Sequence, residues 1–267
     1  MSPKLLMPGL LSAAVVTAVF IAYARPALHA SHEQDVSQSI VTSVAGPESA
    51  NLAMQPEAVK LSRRVRGERF DAKKPRSVIL QGVLTTGTEH RTLQIKRSQS
   101  ESGEQVEIAL AGADAALRWD ATSGARSSAG AIDFSDRALL ERFTFDSADE
   151  FILAQLRGAS YSVVARNVRP DDAADDYSGA IWDVVRVDDP EQDQQKKPLS
   201  AWRLYYINTK TGLLDRIVCD SQGDRIDANL SDWIDQSGEK FPSAITWTSQ
   251  GRTLMSFNLT NVSYLAQ

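Results

Sequence analysis

The sequence predicts a mainly β fold with some helix, built on an antiparallel sheet that curls into a sandwich or barrel. Three observations carry that reading. Short apolar–polar runs recur through the last third of the chain, about 8–12 residues apart. A turn, usually containing glycine, separates each run from the next. The same alternation fills the first half of the body, and helical signals break it only near its start and in its middle.

Lys4 precedes a largely apolar stretch from Leu5 to Tyr23, and Ala22-Tyr23-Ala24 fits a small-residue cleavage site, with Leu28-His29-Ala30 as a second option. Residues 1–30 therefore read as a secretory signal peptide. The stretch also approaches the roughly 20 residues that span a bilayer, so an uncleaved membrane anchor is the alternative. Either way the body is expected outside the cytoplasm, periplasmic or secreted. No cysteine follows the stretch, so a lipid-modified N-terminus is not expected. Residues 31–55, rich in Ser, Ala, Val and Glu, read as a flexible linker, and 56–267 as a single domain.

The 267 residues are 42% hydrophobic and 24% charged, which suits a globular body, and a net charge of −5 argues against nucleic acid as a partner. A monomer is expected. The lone Cys219 shares a strand face with Ile217 and reads as a small buried hydrophobe.

Residues 56–69 read as a helix, with Pro56 early and Val59, Leu61 and Val65 on one broad face. Its end carries Arg63, Arg64, Arg66 and Arg69, followed by Lys73, Lys74 and Arg76. This basic run is either a solvated helix end or a contact for an anionic membrane surface or an envelope protein.

Residues 77–86 form the first expected strand, and Gly82 inside it marks a bend or bulge. Residues 91–97 point Leu93 and Ile95 inward, 105–110 do the same with Val106, Ile108 and Leu110, and 115–120 add Leu117 and Trp119. Period-two alternation means one buried and one wet face.

Ser135 or Asp136 opens a short helical segment with Leu139, Leu140 and Phe143. Ser147 and Glu150 then form a capping box ahead of Phe151, Ile152 and Leu156, and Gly158 stops the run. This apolar stripe is either a lid over the open side of the sheet or a plug of its core.

Strands resume at 160–168 and 180–187. Asp171, Asp172, Asp175 and Asp176, then Asp188, Asp189, Glu191 and Asp193, lack the order of a calcium loop and read as acidic hairpin tips. The final runs are 201–208, 215–221, 225–235, 242–249 and 252–265.

Chemistry is sparse. Of the histidines, His29 and His32 precede the body, and His90 lies at a turn with no G-x-S-x-G elbow in the chain. There is no phosphate loop and no recognisable zinc spacing. A non-enzymatic protein without cofactor or metal is expected; a secreted hydrolase would have to use His90. Large apolar side chains are plentiful instead. Trp202, Leu204 and Tyr206 share one strand face, Met255, Phe257 and Leu259 another, and Trp233 and Trp247 lie in neighbouring runs. These eight are expected to line an apolar cavity, with Leu139, Leu140, Phe143, Phe151, Ile152 and Leu156 covering it. Alternation groups residues by face without saying which face is inside.

The segment from Trp202 to Asn208, Thr211-Gly212, Arg216, Ser231-Asp232-Trp233, Gly238 and Phe241-Pro242-Ser243-Ala244-Ile245 resembles the C-terminal half of bacterial outer-membrane lipoprotein-sorting carriers, the LolA/LolB-like superfamily. The resemblance covers about a quarter of the chain. It implies an incomplete barrel of about eleven antiparallel strands, a helical lid, and a cavity for acyl chains of lipids or lipoproteins. It also implies a strand arginine that ties down the lid, for which Arg76, Arg91 and Arg97 stand open. The expected function is an extracytoplasmic carrier or binding protein for an apolar ligand. A periplasmic sensor or protein-interaction module on the same fold is the alternative.

Overall fold

The computed structural model describes residues 60–61, 64–67, 76–100, 103–112, 115–121, 123–169, 179–189, 200–221 and 223–265. The expected signal peptide and linker, Arg63, Arg69 and the aspartates of 171–176 lie outside them, as do Glu191, Asp193 and the side chain of Leu156.

Residues 60–61 and 64–65 are helical. Five strands follow: β1 (Arg76–Thr86), β2 (Glu89–Ser100), β3 (Gly103–Leu110), β4 (Ala116–Asp120) and β5 (Gly124–Ser127). Two helices, α1 (Phe134–Phe145) and α2 (Glu150–Leu153), come next, and a 3₁₀ turn at Ala154–Arg157 continues α2. The strands β6 (Ser160–Val168), β7 (Trp182–Asp188), β8 (Trp202–Asn208), β9 (Leu214–Ser221), β10 (Asp224–Gln236), β11 (Glu239–Ser249) and β12 (Arg252–Tyr264) complete the body.

Among the described residues the twelve strands make one curved, open sheet in the order β5-β4-β3-β2-β1-β12-β11-β10-β9-β8-β7-β6. Almost every neighbour in the order is a sequence neighbour, so consecutive strands pair antiparallel. The exception is β1 beside β12, which brings the two ends of the chain's β-structure together in mid-sheet. The edges are β5 and β6, and the helices are the link between them. A mainly β, incomplete barrel with a helical insertion is therefore what forms, with twelve strands rather than about eleven.

Local chemistry sets the element ends. α1 begins one residue before the expected start because the Asp133 side chain accepts from the Asp136 N–H at 2.7 Å. Ser147 Oγ accepts from the Glu150 N–H at 3.2 Å, the first half of the expected capping box. The Glu150 carboxylate is instead taken by Arg157. Gly158, in the left-handed region at φ 86°, ends the 3₁₀ turn. Gly82 sits where the β1–β12 register shifts, as expected of a strand glycine.

The buried side chains fall into two main groups. The larger unites Leu93, Ile95, Ile108, Trp119, Tyr205 and Trp247 with Leu140, Phe143 and Phe151 of the helices. The inner face of the sheet is thus the one that α1 and α2 cover. The smaller group, Trp182, Val184, Leu204, Tyr206 and Val218, belongs to the opposite face of β7–β9. Among the described residues, no helix is long and apolar enough to cross a membrane.

The basic run needs one correction. Arg66 is not offered to solvent. It is 1% exposed, pairs with Asp149 and with Glu239 at 3.2 Å, donates to the Lys240 carbonyl, and lies over the Phe241 ring at 3.9 Å. Arg76 likewise pairs with Glu239 and with Asp149 at 3.3 Å. Desolvating a guanidinium is tolerable only against carboxylates, and this segment meets two. Arg64 remains exposed.

Candidate functional site

The candidate site is the trough between the inner sheet face and α1. Its walls follow from strand alternation: Leu80 and Leu84 on β1, Ile95 on β2, Ile245 on β11, and Met255, Phe257 and Leu259 on β12 turn toward the helix. Two spaces lie along it. An apolar pocket of about 50 Å³ sits between Phe143–Asp149 and the inner face at Leu80, Ile95, Ile245, Phe257 and Leu259. Beside the first half of α1, a cleft of about 580 Å³ opens between Phe134, Ala138 and Leu139 and the sheet at Leu84, Leu110, Ile226 and Met255. Its size falls within the range of small-molecule sites. Phe134 and Leu254 stand at it, 60% and 41% exposed, beside the exposed Glu89, Arg91 and Asp224.

Arginines tie the helices to the sheet. Arg97, on β2, donates to the Phe143 carbonyl, to the Thr144 carbonyl at 3.0 Å, and to Ser147 Oγ at 2.9 Å. It also bonds Asp149 at 2.8 Å and faces Glu104 at 3.4 Å. Those carbonyls end α1 and have no partner within the helix, so Arg97 caps α1 from the sheet side. From the other side Arg203, on β8, reaches Asp146 at 3.1 Å, Glu141 at 3.3 Å and Asp189 at 3.4 Å. Arg157 links Glu150 to Asp189 at 3.2 Å, and Arg142 bonds Asp146 at 2.8 Å. Of the three arginines open for the lid-tying role, Arg97 is the one that meets the helix. Arg76 meets Asp149, beyond α1, and Arg91 pairs with Glu89 on the exposed strand end.

Burial and pairing shift these groups in opposite directions. Burial alone would raise the Asp149 carboxyl, but Arg66, Arg76 and Arg97 surround it and hold it well below the usual carboxylate range. Burial pushes the Glu150 carboxyl up to about 7, against the pull of Arg157 and with help from Asp189 and Glu104. Burial raises Glu104 as well, and its Oε2 has no hydrogen-bond partner. The Cys219 thiol is pushed up to about 12 by burial, with Asp146 adding to the effect. It is a protonated, unreactive thiol packed with Ile217, 3.9 Å from Asp146.

The eight expected lining residues divide by face. Trp247 and Phe257 are buried in the larger group, and Trp233, Met255 and Leu259 pack against it. Trp202, Leu204 and Tyr206 belong to the smaller group on the opposite face; the inward residues of β8 are Arg203, Tyr205 and Ile207. Of the expected lid, Leu140, Phe143 and Phe151 are in the larger core, Leu139 packs against it, and Ile152 is buried. His90 lies on the exposed β1–β2 hairpin beside Thr85 Oγ1, at 2.9 Å. Among the described residues no cluster of His, Cys, Asp or Glu has the makings of a metal site. The residues that sequence reading missed are Arg203, Arg157, Asp146 and Asp149. Arg203 had a legible signal, since it stands in phase with Tyr205 and Ile207.

No protein-family model and no curated protein matches the chain. Solved structures do. A DUF1329 family protein from Desulfovibrio piger superposes with a TM-score of 0.53 at 11% identity, covering 78% of this chain and 92% of that one. A domain named for outer-membrane lipoprotein sorting from Vibrio parahaemolyticus gives 0.47 at 7% identity, covering 78% and 91%. A LolA superfamily protein from Nitrosomonas europaea gives 0.49 at 9% identity, covering 79% and 93%. At such identities the first likeness speaks to the fold alone, and nothing rests on the other two.

Proposed function

We propose that this chain is an extracytoplasmic, non-enzymatic carrier or binding protein that buries an apolar chain between the inner sheet face and the α1 lid. One observation carries the reading. The trough combines an apolar floor and an open cleft of about 580 Å³ with a lid held by polar ties. An apolar ligand that enters the cleft exchanges water contact for Leu84, Leu110, Leu139 and Met255. Each methylene buried there contributes about 0.8 kcal/mol. The ties from Arg97 and Arg203 are directional, so a lid that shifts by one bond length loses them together and can reseat in the same place. An acyl chain, carried by a lipid or by an acylated polypeptide, is the ligand class that fits an apolar trough with charged residues at its mouth.

Native mass spectrometry of the protein purified from its own host tests this. A bound lipid or acylated peptide is expected, and Leu139→Glu, at a half-buried cleft position, should strip it while leaving the fold intact. An unchanged lipid complement in a well-folded Leu139→Glu protein would remove the cleft from the binding path.

A further inference from the structure

The cleft and the inner pocket meet end to end on one face. Along β12, Met255 lines the cleft while Phe257 and Leu259 line the pocket. Along β1, Leu84 lines the cleft and Leu80 the pocket, with Gly82 between them. Along α1, Leu139 belongs to the cleft, Phe143 to the pocket, and Arg142 to both. At their junction stand Arg142, bonded to Asp146 and lining both, and the Phe257 ring, which walls the pocket. The ring lies over Gly82 so closely that a Cβ there would come within 2.5 Å of it. On its other side it meets Phe143 edge-on, with centroids 5.2 Å apart and planes at 83°. Phe143 in turn meets Trp247 at 5.2 Å. The partition therefore has one half on a strand and one half on the lid.

We infer that Phe257 is the specificity-determining stop of the trough, setting how long an unbranched apolar chain can be before it must displace the ring to reach the inner pocket. The inference rests on the proposed carrier role and names a property of the same site. The pocket behind the ring, about 50 Å³, is narrow, and the arginines and aspartates along it are already paired with one another, so it accepts the end of a saturated chain and not a ring system. Gly82 is the device that makes the stop possible. A Cβ at that position would meet the Asn258 carbonyl oxygen at 2.3 Å and the ring at 2.5 Å.

Calorimetric titration of the full chain with saturated fatty acids, from octanoate to hexadecanoate and below their aggregation limits, tests the stop. Each further methylene buried is worth about fourfold in affinity. For the wild type the affinity should climb with length and then level off where the chain end meets Phe257. In Phe257→Ala the climb should continue, ending about tenfold or more above the wild type for hexadecanoate. Phe257→Leu keeps an apolar side chain against Phe143 and should shift the profile in the same direction by less, which preserves the test if the alanine variant folds poorly. The same length profile in the wild type and the folded variants would overturn the stop while leaving the carrier role in place. Absence of binding by every one of these proteins would overturn both.

Discussion

Arg97 and Arg203 stand at positions that strand alternation reserves for apolar side chains, and that is why they matter. A guanidinium on an inner face needs carboxylates or carbonyls to meet it, and the helical insertion supplies both. The first can be read forward: Leu93, Ile95 and Arg97 are in phase, and so are Arg203, Tyr205 and Ile207. The partners cannot. Asp146 and Asp149 lie in a linker between helices, where an aspartate ordinarily means a solvated turn. Removing Arg97 leaves Asp149 buried with fewer cations and uncovers the last carbonyls of α1. Arg97→Met should therefore destabilise the protein by about 3 kcal/mol. Arg97→Lys should recover only part of that, because an ammonium keeps the charge but cannot fork across Thr144, Ser147 and Asp149. Chemical denaturation of the three proteins checks the ranking, and equal stability of Arg97→Met and the wild type would show that the tie is idle.

At the scale of elements, the hairpins were legible and the orientation of faces was not. Each C-terminal strand forms within a residue or a few of its expected ends, because turns at Gly212, Gly223, Gly238 and Gly251 take left-handed φ values that few other residues tolerate. β5 escaped because Gly124–Ser127 carries no alternating apolar residues and is held mainly by pairing with β4. β8 misled for a different reason. Both of its faces are buried, one under the helices and one in the smaller cluster, so Trp202, Leu204 and Tyr206 look as inward as Tyr205 and Ile207 do. The hold on α1 depends on that same strand. α1 meets β8 through Asp146 and Glu141 and meets β2 through its terminal carbonyls, so it is held at two opposed points. Arg203→Met releases one point and leaves the other. Amide hydrogen exchange over 140–146 should accelerate about tenfold or more, while β10 and β11, whose ladder does not include Arg203, keep their protection. Uniform acceleration across the sheet would mean that Arg203 supports the whole fold and not the lid.

For the molecule as a whole, the balance of buried charge sets how stability follows pH. Glu104, Glu150 and Asp189 gather around Arg157, while Arg97 is largely engaged with Asp149. Burial holds the Glu150 proton to about pH 7 against the pull of Arg157, and Asp189 and Glu104 add to the effect. A carboxyl whose pKa is higher folded than unfolded binds its proton more tightly in the native state. Its contribution is therefore complete below about pH 4.3, the ordinary glutamate value, and is lost as the pH rises through about 7. Asp149 has the opposite sign. Its carboxyl is depressed by three arginines, so its contribution is complete above about pH 3.9 and is lost progressively as the pH falls from there through its lowered value. Together they place the stability optimum in mildly acid solution. Urea unfolding should give a free energy about 1–3 kcal/mol higher at pH 5 than at pH 8. Glu150→Gln, which cannot ionise, should flatten that difference, and Asp149→Asn should leave it standing while making the decline below pH 4 shallower. If the glutamine variant keeps the full loss between pH 5 and 8, the proton is held elsewhere and the burial of Glu150 is not its cause.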